Sequence, residues 1–203
     1  MDIDALETVE SVKEKNAAEA AATRRLNAAV AISVALLATF MAICKVKDDN
    51  IVQAMQQAQA HMIDNWSYYQ ARNIRQEIAE ANVIQLQAAR SGMAAGADTS
   101  TIDAMIVQQQ AQAKSQEEKK ALLKKQAEDN EKAYNDLNFV DDQFDLSDAL
   151  LAIAVALMAI TALTELWWLF GLALIPTFFG VLMGLSGLLG WTIHPDGLIR
   201  LLS

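Results

Sequence analysis

Apolar and polar positions divide this chain into blocks before any single residue is weighed. From Ala149 to Ile193 the sequence is apolar apart from one charge, Glu165, and Leu26 to Cys44 carries no charge at all. A membrane-crossing helix needs about 20 apolar residues, so the pattern predicts three spans, over 26–46, 146–164 and 168–191. Trp167 and Trp168 stand before the third span and Trp191 closes it. About 23 residues at about 1.5 Å each cover about 35 Å, which sets tryptophans at both membrane interfaces, where they collect. Thr164–Leu166 then reads as a tight turn, making the last two spans a helical hairpin.

Between the first and second spans, residues 47–145 are polar and rich in Gln, Ala, Glu and Lys. This connector reads as two helices outside the bilayer, roughly 48–89 and 102–137, joined by a tip at 91–101 (SGMAAGADTST). Thr101 is the expected N-cap of the second helix. Apolar or small positions in the first include Ile51, Met55, Ala58, Met62, Trp66, Tyr69, Ile78, Ala81 and Ile84. Their mean spacing is near eleven residues per three turns, with a slip at Asn73–Ile74, a period that suits a straight or slightly right-handed coiled coil. The second helix has almost no apolar stripe through QQQAQAKSQEEKK. Residues 1–25 read as a further helix, with Ile3, Leu6, Val9 and Val12 as a short stripe, and 192–203 as a short tail with Leu198, Leu201 and Leu202 resting on the membrane. The expected fold is all-α: three transmembrane helices and a long, protruding, antiparallel coiled-coil-like hairpin.

Small residues mark the spans. Ala28, Ala31, Ala35, Ala38 and Ala42 recur at three- and four-residue intervals, which puts them on one helix face. Ala149, Ala152, Ala156 and Ala159 repeat the pattern in the second span, and Gly180 and Gly184 form a small-xxx-small pair in the third. Such faces let helices approach closely in lipid. The two alanine seams are expected to face each other or copies of themselves in a homo-oligomer.

Charge and composition narrow the function. The net charge is −9, and the connector holds ten basic and sixteen acidic residues, so no basic stripe exists for nucleic acid. One cysteine, Cys44, excludes an internal disulfide and a thiolate metal cluster. His61 and His194 lack partners for a zinc site. No phosphate-binding glycine loop and no catalytic triad can be assembled, so no cofactor, no metal and no enzymatic activity are expected. Residues 1–25 hold six acids and four bases, unlike a secretory signal, so the first span is expected to stay in the membrane. Lys13, Lys15, Arg24 and Arg25 precede that span, which favours a cytoplasmic N-terminus and an outer-side hairpin. Three groups remain as candidate sites. Asp141, Asp142, Asp145 and Asp148 lie beside the membrane, either as solvated helix-start acids or as a cation-attracting vestibule. Asn65-Trp66-Ser67-Tyr68-Tyr69-Gln70-Ala71-Arg72 crowds three aromatics into four residues, with Trp66 and Tyr69 on one face and Tyr68 elsewhere. Glu165 sits at an interface turn.

The segment NWSYYQAR at 65–72, the Gln/Ala-rich helix after it and FDLSDALLAIAVALMAITALT at 144–164 resemble the bacterial membrane family known as domain of unknown function 4337. Such proteins carry a first span, a W-x-Y-Y-Q-A-[KR] segment, a helical connector and a C-terminal apolar pair. The resemblance runs from about Leu26 to Leu189. It implies that architecture and a bacterial inner-membrane location, and singles out Trp66, Tyr68, Tyr69, Gln70 and Arg72 as contact residues toward a partner or another protomer. It brings no activity. The leading expectation is a self-associating, non-enzymatic membrane scaffold with lipid and its own copies as partners. The alternatives are a cation channel or transport component, and an accessory subunit docked to another membrane protein.

Overall fold

The structure, a computed structural model, describes residues 2–193, with side chains from Thr8 onward. Ile3, Leu6 and the tail at 194–203, including His194, Leu198, Leu201 and Leu202, therefore lie outside the described side chains. Three helices account for nearly all of it: α1 (Asp2–Ser91), α2 (Ser100–Thr164) and α3 (Trp167–Leu189). The predicted N-terminal helix, first span and first connector helix are one continuous helix. The cause is local: no glycine or proline occurs before Gly92, and those are the residues that break helices. The α1–α2 turn follows at Gly92, with Gly96 at φ +90. The cap of α2 is Thr99 rather than Thr101. Asp103 N–H donates to the Thr99 carbonyl at 2.9 Å, the Thr99 hydroxyl donates to the Asp103 carboxylate at 2.9 Å, and Ser100 N–H donates to Asp98 Oδ1 at 2.9 Å.

Two compact units form: Met1–Val52 with Asn138–Ser203, and Gln53–Leu137. Each of the three helices holds an 18-residue stretch apolar enough to cross a membrane, with mean hydropathy 2.2, 2.2 and 2.0. The chain is therefore read as a membrane protein, and its exposed Ile32, Leu36, Ile153, Ile160, Phe178 and Phe179 suit lipid.

In the first unit the interior is set by one face of each helix. On α1 it is Leu26, Val30, Leu37 and Cys44; on α2 it is Phe144, Ser147, Leu151, Ala154, Met158 and Thr161; on α3 it is Ala173, Gly180, Met183, Gly184 and Gly187. The α2 residues step by three and four, the spacing of a helix seam. Glycine lets α3 come close. A β-carbon on Gly180 would lie 2.8 Å from Leu151 Cδ2; on Gly184, 2.7 Å from Phe40 Cε1 and 2.8 Å from Ser147 Oγ; on Gly187, 2.8 Å from Phe144 Cζ. The Ser147 hydroxyl donates to the Gly180 carbonyl at 2.8 Å, a buried bond between helices. Pro176 sits inside α3 without ending it. The α2–α3 turn is made by Glu165 at φ 58, and Glu165 Oε2 accepts from the Thr23 hydroxyl at 3.0 Å, joining α1 to that turn.

The second unit pairs the later part of α1 with the earlier part of α2, antiparallel. Arg90 meets Asp103, Asn82 meets Gln109, Asn73 meets Lys120 and Arg72 meets Gln116. The inward positions differ from the eleven-residue expectation. On α1 they are Met55, Ala58, Met62, Tyr69, Arg72, Gln76, Ala79, Val83 and Leu86; on α2 they are Ile102, Ile106, Gln109, Ala113, Gln116, Lys120, Leu123, Ala127, Asn130, Tyr134 and Leu137. Both series follow a seven-residue repeat with no slip at Asn73–Ile74. Ile78, Ala81 and Ile84, expected inside, are exposed.

Gly180→Val should cost about 1–3 kcal/mol by overpacking against Leu151, read as a lower unfolding midpoint in detergent, whereas the same change at exposed Gly171 should leave the midpoint in place. Equal midpoints for the two variants would contradict the close α2–α3 approach.

Candidate functional site

The acidic run predicted beside the membrane gathers around a residue that the sequence did not single out. Asp48 lies on α1, four residues beyond buried Cys44, and is itself only 5% exposed. Its Oδ2 accepts from Lys45 Nζ at 2.8 Å, and Lys45 also pairs with Asp49 at 3.4 Å. Its Oδ1 is buried and meets no donor. From α2, Asp141 comes near enough to Asp48 for that carboxyl to act on its protonation. Asp145 and Asp148 join Met41, Cys44, Lys45, Asp48, Phe144 and Ser147 around a cavity of about 30 Å³. Asp142 accepts from Asn138 at 3.4 Å on its own helix.

The electrostatics follow from that crowding. Burial pushes the Asp141 carboxyl up to about 6, and the neighbouring Asp48 carboxyl and the charges of Asp145 and Asp142 act in the same direction. Asp145 is pushed up as well, first by burial and then by Asp48 and Asp142, with Lys45 opposing. Beside them Gln143, fully buried, donates to the carbonyls of Trp191 at 2.9 Å and Ile193 at 2.7 Å. That fastens the chain after α3 to α2 at this end. Among the described residues no group of three or more His, Cys, Asp or Glu side chains is placed to hold a metal ion.

The aromatic segment is split by its helix. Trp66 and Tyr69 pack edge to face with centroids 5.4 Å apart. Lys120 of α2 lies 5.9 Å from the Tyr69 ring centre, and Arg72 donates to Gln116 at 3.1 Å. Tyr69 and Arg72 thus belong to the seam of the second unit and half-buried Trp66 packs on Tyr69 beside it, while Tyr68, 61% exposed, and Gln70 face outward.

The small residues also divide. Gly180 and Gly184 are buried inside the chain's own bundle. Ala28, Ala31, Ala35, Ala38 and Ala42 are all exposed, as are Ala152, Ala156 and Ala159, with Ala149 half-buried. The two alanine seams therefore do not pack on each other within one chain. Glu165 is exposed at its turn.

Sequence reasoning missed Asp48 and Gln143. Asp48 continues the three–four series Cys44, Asp48, Ile51, Met55, and that register was the available signal. Gln143 stands four residues before Ser147 on the buried α2 face, a weaker signal because a lone glutamine reads as solvated.

The fold and this arrangement define an all-helical chain with three candidate membrane spans. Residues 26–190 match the family described as "Domain of unknown function (DUF4337)", and the chain belongs to that family. No curated protein and no solved structure matches it.

The split of the aromatic segment gives a direct expectation. Trp66→Ala should lower stability by about 1–3 kcal/mol, since a half-buried ring packed on Tyr69 is lost, whereas Tyr68→Ala should stay within about 0.5 kcal/mol. Chemical unfolding of the full chain in detergent reads both, and equal losses would place Tyr68 in the seam too.

Proposed function

We propose that this protein is a non-enzymatic, self-associating scaffold of the bacterial inner membrane, and that its copies meet through the alanine faces of the first two spans. The observation that carries the reading is the placement of those faces. Ala28, Ala31, Ala35, Ala38 and Ala42 are left outside the chain's own core. Lipid gives larger side chains no disadvantage there, whereas small ones permit close backbone approach by another helix. In the same reading the N-terminus is cytoplasmic, because Arg24 and Arg25 flank the first span, and the polar helical pair stands on the outer side.

Two other readings have narrower support. Tyr68 and Gln70 are exposed on the aromatic segment, which suits a dock for another membrane protein. A cation pathway is less favoured. The cavity beside the acids has about 30 Å³, room for about one water, and Leu151, Ala154 and Met158 fill the space between the helices.

Cysteine cross-linking in native membranes tests the scaffold reading. Ala35→Cys and Ala38→Cys should give covalent dimers under mild oxidation, while Phe178→Cys on the exposed face of α3 should give few; native Cys44 is buried. Cross-linking equally efficient at all three positions, or absent from the alanine positions, would count against contact through these faces.

A further inference from the structure

In the second unit α1 has two apolar faces, and α2 covers one of them. Tyr69, Arg72, Gln76, Ala79, Val83 and Leu86 turn toward α2. A step of two residues turns about 200° around a helix. The opposite face therefore reads Ala71, Ile74, Ile78, Ala81, Gln85 and Ala88, every one of them exposed. This stripe holds no charge and keeps the seven-residue repeat of the seam behind it. Ile74 is 56% exposed and Ile78 55%, and Ile63 and Ile84 on its edge are 54% and 67% exposed. The same step on α2 leads from Gln116, Lys120, Leu123, Ala127 and Asn130 to Glu118, Leu122, Lys125, Asp129 and Lys132, so charge breaks that face. Isoleucines exposed singly need no explanation, whereas an uncharged stripe at coiled-coil spacing marks a contact.

We propose that this stripe pairs with the same stripe on a second copy, so that two α1 helices form a parallel coiled coil through their outer faces. The proposal rests on the self-association read above from the alanine faces of the spans. Copies inserted the same way in one membrane run their α1 helices in the same direction, so a two-fold contact between those helices is parallel. Ala71, Ile78 and Gln85 then form one core series, and Ile74, Ala81 and Ala88 the other. In that arrangement the flanks set Ile63 beside Tyr68 of the second copy, Gln70 beside Arg75, and Glu77 beside Asn82. No like charges meet. The glutamine carbonyl suits the guanidinium, the asparagine amide suits the carboxylate, and the tyrosine ring covers the isoleucine. This self-complementarity selects a second copy as the occupant. It also accounts for Tyr68 and Gln70, which the chain's own packing leaves outside. Gln85 is an uncharged polar residue in the core series, a device that fixes register at a cost in stability. The stripe is narrow and mostly alanine, so the contact is weak by itself. Copies already joined through their spans meet at high effective concentration, and the added contact needs little affinity of its own.

Cysteine cross-linking of the full chain in native membranes tests the pairing, with Ala81→Cys set against its neighbour Glu80→Cys. Both positions are exposed and stand at the same level of α1. Tethering brings them together equally, and only the helix face differs; native Cys44 is buried. Mild oxidation should give several-fold more covalent dimer at Ala81→Cys than at Glu80→Cys. Adding Ile74→Asp and Ile78→Asp should abolish the Ala81→Cys dimer. The same pair of aspartates should leave the Ala35→Cys dimer intact, which shows that the bundle still folds. Equal yields at positions 80 and 81, or dimers at Ala35→Cys with none at Ala81→Cys, overturn this pairing and leave the contact through the spans standing. Dimers at Ala81→Cys with none at Ala35→Cys uphold the pairing and overturn the span contact. No dimer at either position overturns both. A cross-linked mass other than twice that of the chain makes a different polypeptide the occupant and overturns the self-pairing.

Discussion

Close approach of α3 to the other two helices is the constraint on which the membrane unit depends. Lipid offers no hydrophobic drive for helix association, so packing and a few buried polar bonds must hold the bundle. Gly180, Gly184 and Gly187 provide the room, each lying where a β-carbon would sit under 3 Å from Leu151, Phe40 or Phe144. The bond from Ser147 to the Gly180 carbonyl fixes the register of α2 against α3. At one end of the unit Glu165 receives the Thr23 hydroxyl, and at the other Gln143 holds the carbonyls of Trp191 and Ile193. With glycine used inside the chain, alanine is left on the outside of α1 and α2. That division separates how one chain folds from how copies of it are proposed to meet.

The second unit is held differently. Its seam keeps a seven-residue repeat but places Arg72, Gln76, Gln109, Gln116 and Lys120 at inward positions. Among its described residues, the deeply buried apolar side chains are small or few: Met55, Ala58, Ala79, Ile106 and Ala127. Polar pairs such as Arg72 with Gln116 and Lys120 with Asn73 specify register more than they add stability. A seam of this kind gains from added support, which accords with a scaffold whose copies stand side by side.

The candidate spans were plain in the sequence because a run of about 20 uncharged apolar residues suits the bilayer interior better than water or a small core. The turn at Gly92–Thr99 was equally plain from its glycines and polar turn formers. The interior faces were less so. Alanine spacing drew attention to positions that turned out exposed, while Leu26, Val30 and Leu37 made the core; in lipid, side-chain size does not reveal which face is inside. In the connector, Ile78 and Ile84 pulled the inferred register outward, because polar residues occupy the true seam and hydrophobicity stops reporting burial. Asp48 was hidden for the same reason: a charged residue just past an apolar run reads as solvated, yet its place in the three–four series buries it beside Cys44, Phe144 and Ser147.

Native mass spectrometry on the complex released from its own membranes tests most directly the claim that glycine packs the chain internally and alanine joins its copies. One homo-oligomeric mass is expected, collapsing to monomer when leucine replaces Ala31, Ala35 and Ala38 and surviving Tyr68→Ala. A monomeric mass for the parent protein, or an oligomer indifferent to the alanine substitutions, would contradict it.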